Sequence, residues 1–124
     1  MRRTILALAL AIAPLGAWAH ETAKGPNGGP VVDSAGHHIE MVSNGTELVL
    51  HLTEGDTKPL ASSGTKNARA IVQDGGKTAT VPLTAAEPNK LVGTLAAPLG
   101  NGARVVVSAT MAYGHALQAR FVKN

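Results

Sequence analysis

From Val31 onward the chain consists of short runs of Val, Ile, Leu, Ala and Thr in which apolar and polar positions alternate, as in Ile39-Glu40-Met41 and Leu48-Val49-Leu50-His51-Leu52. Alternation with period two sends successive side chains to opposite faces of a strand, whereas an amphipathic helix would repeat every three to four residues. The runs are broken by Asn44-Gly45, Asp74-Gly75-Gly76, Glu87-Pro88-Asn89 and Gly100-Asn101-Gly102. Turn residues recurring between β-favouring runs predict an all-β protein: a single antiparallel β-sandwich of seven to eight short strands. The strands are expected at 30–33, 37–43, 46–52, 66–73, 77–83, 90–96, 103–110 and 116–122.

The sharpest local signal is Ser43-Asn44-Gly45-Thr46. Asn-Gly between alternating runs favours a type I′ turn, whose two central residues both need positive φ. Centred there, the hairpin sets Met41 against Leu48, Glu40 against Val49, Ile39 against Leu50 and His38 against His51. Ile39, Met41, Leu48, Leu50 and Leu52 then share the core face with Ala68, Ala70, Val72, Ala79, Val81, Leu83, Leu91, Leu95, Val105, Val107, Leu117, Ala119 and Phe121. The opposite face carries His38, Glu40, Val42, Glu47, Val49 and His51. Directly opposed residues have Cβ atoms about 5 Å apart, so His38, His51 and Glu40 form a candidate two-His, one-carboxylate metal site. A solvated polar face bearing two histidines is the alternative.

The first nineteen residues differ in kind. Met1-Arg2-Arg3, an apolar run from Thr4 to Leu15 and the ending Ala17-Trp18-Ala19 have the basic, apolar and small-x-small parts of a cleavable signal peptide. The apolar run is too short for a stable membrane anchor. The expected division is a signal peptide at 1–19, a flexible Gly/Pro-rich lead-in at 20–30 and a β-sandwich at 31–124. Export to the periplasm follows, and cleavage exposes His20, whose α-amine and imidazole can both bind metal.

Residues 20–124 carry nine Lys and Arg against eight Asp and Glu, scattered singly, with Tyr113 and Phe121 as the aromatic residues. Without a basic cluster or a stacking platform, nucleic-acid binding has no support. The chain has no cysteine. Disulfides and thiolate sites are therefore excluded, and a metal would have to be held by His, Met, carboxylate or backbone groups, a donor set suited to copper or zinc. His37 has core-face parity and reads as a strand-end residue. Met111 and His115 flank Ala112-Tyr113-Gly114, either as a copper-type Met/His pair or as a strand end and a turn residue. No Gly-x-Ser-x-Gly elbow, His-Glu-x-x-His helix or nucleotide loop is present, so the chain is expected not to be an enzyme.

Two resemblances add to this. Gly25-Pro26-Asn27-Gly28-Gly29-Pro30-Val31-Val32, with Gly36-His37-His38-Ile39-Glu40 and Thr53-Glu54-Gly55-Asp56-Thr57-Lys58-Pro59-Leu60, resembles a module of small exported proteins and of periplasmic adaptor subunits of heavy-metal efflux pumps. It covers 25–60 and implies an efflux or envelope protein as partner. The long helical hairpin and lipoyl-type region of a full adaptor are lacking.

Size, a His exposed by signal cleavage, and Val107-Ser108-Ala109 through Gly114-His115-Ala116 to Arg120-Phe121-Val122 are similar to the small periplasmic copper-resistance proteins. That resemblance implies an immunoglobulin-like sandwich and copper binding through His20 and His115. Those proteins usually carry an Asp shortly before Gly-His, where this chain has Ala112-Tyr113. The function expected from residues and resemblance is binding or handling of a transition metal, copper or zinc, in metal homeostasis or resistance. The competing class is an interaction module of an envelope or efflux complex. Expression in a Gram-negative host should yield a periplasmic product whose N-terminal sequencing begins at His20; a product retaining Met1 would refute the cleavage site.

Overall fold

The computed structural model describes residues 23–55 and 58–124. The expected signal peptide and His20 lie outside the described residues. The elements are β1 (Val31–Ser34), β2 (His37–Asn44), β3 (Glu47–Glu54), β4 (Lys58–Pro59), β5 (Lys66–Asp74), β6 (Lys77–Pro82), β7 (Thr84–Ala86), β8 (Lys90–Thr94), β9 (Arg104–Thr110) and β10 (Ala116–Val122), with no helix among the described residues. One sheet runs β1-β2-β3-β8-β7, with β4 beside β3; the other runs β10-β9-β5-β6. All strand pairs are antiparallel, and the molecule is a β-sandwich. The expected count of seven to eight strands falls short by β4 and β7, two and three residues long.

The β2–β3 register differs from the expected one. Asn44 pairs with Glu47, Ile39 with Leu52, Glu40 with His51 and His38 with Thr53. The two-residue loop is Gly45-Thr46 rather than Asn44-Gly45. Gly45 has φ +59° and neither Asn44 nor Thr46 has a positive φ, the signature of a type II′ turn with glycine first. A two-positive-φ turn of the I′ kind forms one hairpin earlier, at Ala35 (φ +50°) and Gly36 (φ +84°), closing β1 onto β2 through the Ser34–His37 pair. The slip in β2–β3 moves each residue's partner by two. It therefore preserves which side chains share a face.

The core lies between the sheets. Ile39, Met41, Leu48, Leu50, Leu52 and Leu91 from one sheet meet Ala70, Val72, Val105, Val107, Leu117, Ala119 and Phe121 from the other, all buried. Leu60, Val81, Leu83, Leu95 and Met111 close its margins. Ala68 is only partly buried against this cluster, and Ala79 is exposed. Ala79 sits on β6, an edge strand, and lines a shallow apolar cleft with Val72, Val81, Leu95 and Leu99. The sheets are also joined at a margin, where the Gln118 amide donates to Ser34 Oγ at 3.2 Å.

Phe121 is the sole phenylalanine in the chain and is 3% exposed. Truncating a buried aromatic removes its transfer energy and leaves a cavity, so Phe121→Ala should destabilise the fold by about 3–5 kcal/mol. Chemical denaturation measures this, and an unchanged midpoint would show that the ring does not hold the core together.

Candidate functional site

The outer face of the first sheet carries two rows of side chains. One runs across Val31, Glu40, His51 and Lys90, and the next across Asp33, His38 and Thr53. His38 and His51 are thus diagonal neighbours, with Cβ atoms about 7–8 Å apart by ordinary sheet geometry, rather than directly opposed. Glu40 takes the place opposite His51.

Residues 23–30, expected as a flexible lead-in, fold onto this face. The Val31 amide donates to the Ala23 carbonyl at 2.8 Å, Lys24 bridges to Pro30, and the Met41 amide donates to the Pro30 carbonyl at 3.0 Å. Within the loop, the Gly25 amide donates to the Gly29 carbonyl at 2.8 Å and the Gly28 amide to the Gly25 carbonyl at 2.9 Å. The segment thereby continues the sheet's outer surface past β1.

The loop covers Glu40, which is 4% exposed. Its Oε2 accepts from the amides of Asn27 and Gly29, each at 2.9 Å, and its Oε1 accepts from Asn27 Nδ2 at 3.0 Å. A buried carboxylate requires donors, and hydrogen bonds to a charged group are stronger than neutral ones. Glu40 thus has a structural role that the strand pattern did not suggest. Its carboxylate binds the loop, and it stands opposite His51 with His38 in the neighbouring row, so the three expected residues lie side by side on one face. A Cβ at Gly25 would collide with the Glu40 carboxyl group, and one at Gly29 with the Met41 carbonyl oxygen. The glycines are needed for close approach, and Asn27 supplies two of the three donors.

Loop and sheet together enclose a cleft of about 340 Å³ lined by residues including Ala23, Lys24, His38, Glu40, His51 and Asn89. His38 and His51 thus open into one cavity. His38 Nε2 lies 3.1 Å from Asp33 Oδ1. Two imidazoles alone would supply only part of a coordination set, since zinc or copper ordinarily takes three or four ligands. Among the described residues, no three His, Asp or Glu side chains gather into a group that could hold a metal ion. Imidazole nitrogens are donors of the kind that suit copper or zinc.

The remaining histidines lie elsewhere. His37 begins β2, as its strand-end parity predicts, with Nε2 3.3 Å from Tyr113 Oη and Nδ1 buried without a partner. His115 lies in the turn between β9 and β10, its ring edge-on to Tyr113 with centroids 4.8 Å apart, and does not line the cleft. Met111 is buried with its sulfur 3.8 Å from Thr65 Oγ1, so it belongs to the core margin rather than to a solvent-facing Met/His pair. The chain matches no protein-family model, no curated protein and no solved structure.

Because Glu40 holds the loop through three hydrogen bonds, Glu40→Ala should destabilise the protein by about 1.5–3 kcal/mol. Hydrogen exchange should accelerate at the Asn27 and Gly29 amides well before the core strands. Unchanged protection of those amides would show that the loop is held by other contacts.

Proposed function

We propose that this chain is an exported periplasmic protein that binds and handles a transition metal, copper or zinc, in metal homeostasis or resistance. The observation that carries the proposal is the shared cleft. His38 and His51 open into it from the sheet, and Ala23, three residues after His20, lines its wall. Three residues span up to about 10 Å, so an amino terminus at His20 has the length to reach the cleft and add an amine and an imidazole to the pair. Glu40 serves this site by holding the loop. His115, which is not among the residues lining the cleft, is a separate candidate ligand that rests on the resemblance to the copper-resistance proteins. The strand orders support that resemblance: β2-β3-β8-β7 and β10-β9-β5 follow the A-B-E-D and G-F-C orders of an immunoglobulin-like sandwich, with β1, β4 and β6 as additional strands. The module-like stretch 25–60 makes an efflux or envelope protein the proposed partner.

Calorimetric titration of the form beginning at His20 with Zn(II) and Cu(II) tests the proposal. We expect one ion in the cleft and a loss on the order of a hundredfold or more in affinity for His38→Ala/His51→Ala, since even residues that only support ligands cost about 10–100-fold. A form extended before His20 should lose part of the affinity. Full affinity in the double variant would remove the site from the cleft, and absence of binding in every form would favour an interaction module without metal.

A further inference from the structure

We infer that Asp33 is the positioning residue of the cleft, fixing the His38 imidazole so that Nδ1 is the nitrogen offered to a metal. This rests on the cleft being the metal site. A neutral imidazole has one N–H and one lone pair, and which nitrogen is free depends on what the other one binds. His38 Nε2 lies 3.1 Å from Asp33 Oδ1. An ionised carboxylate can only accept, so the proton belongs on Nε2 and the lone pair on Nδ1. Metal-bound histidines ordinarily donate their second ring N–H to a carboxylate or carbonyl, which sets both tautomer and ring orientation.

The same criterion separates His38 from its neighbour. His37 Nδ1 is buried without a partner and its Nε2 faces the Tyr113 hydroxyl. Binding metal through Nε2 would leave a buried N–H at Nδ1 unsatisfied, at a desolvation cost. His37 therefore lacks the support that His38 has, although the two are adjacent on β2. The placement of Asp33 follows from the fold, because the Ala35-Gly36 turn pairs β1 with β2 and sets Asp33 directly opposite His38.

Heteronuclear NMR of the ¹⁵N-labelled imidazoles, with Zn(II) as the probe in the form beginning at His20, tests this inference. The expected result is a His38 ring that keeps its proton on Nε2 and is metallated at Nδ1. Asp33→Ala should weaken Zn(II) binding about tenfold or more, and Asp33→Asn, whose amide oxygen still accepts from Nε2–H, should recover part of the loss. A purely structural role for Asp33 would leave His38 metallated at Nδ1 in Asp33→Ala and would give no rescue in Asp33→Asn. Metallation of His38 at Nε2, or unchanged affinity in Asp33→Ala, overturns the inference while leaving the cleft as the metal site. Absence of any Zn(II)-dependent change at both His38 and His51 overturns the cleft reading and the inference together.

Discussion

A carboxylate removed from water has to find its donors inside the protein, and Glu40 finds three of them in a loop 11–13 residues upstream. The outer surface of the first sheet depends on that interaction. The donors come from Asn27 and Gly29, two positions of a segment with no periodicity of its own, and they convert it into a wall beside β2 and β3. Without Glu40 the segment would have only its backbone bonds at Val31 and Met41 and its internal turn. With it, the sheet face gains a cleft, and two histidines that would otherwise lie on a flat solvated surface share a cavity.

The core and the polar face were both legible from alternation, because the side-chain period of a strand fixes its faces irrespective of partner. The hairpin register was not. Asn44-Gly45 carries a strong preference for the central positions of a type I′ turn, yet Gly45-Thr46 supplies a type II′ solution with glycine in its required first place. Both turns place Ile39, Met41, Leu48, Leu50 and Leu52 inside, so core burial does not discriminate between them. The site is more sensitive than the core, since the two-residue shift in partner moves His51 from opposite His38 to opposite Glu40. The short β4 and β7 had too few residues to show a period, and Ala79 follows the core parity of β6 at an edge that the opposing sheet does not cover.

The role of Glu40 could have been suspected from the glycines. Gly25 and Gly29 are close-approach residues, where any side chain would strike the Glu40 carboxyl group or the Met41 carbonyl. A Gly-Pro-Asn-Gly-Gly-Pro stretch read only for turns looks like a lead-in. Read for space and donors, it is a cradle with small residues where backbone must approach and an amide side chain where a carboxylate needs a partner. Such an interaction has a separation of 11–13 residues, and neither strand alternation nor a short motif specifies which acid it will meet.

Charge is what then distinguishes the residues around the cleft. Glu40's negative charge is directed into the loop, where three donors hold it. Lys24 lines the cleft together with Glu40, and Lys90 stands opposite His51 in the register of β3 and β8, so positive charge lies close to the imidazoles. Asp33 is the carboxylate bound to one of those imidazoles, with its side chain 72% exposed, and it can offset that charge without bearing the desolvation cost of a buried acid. Water screens its field, which makes its direct attraction for an ion small. Its larger effect is directional: by accepting from one nitrogen of His38 it determines which lone pair of the ring remains available.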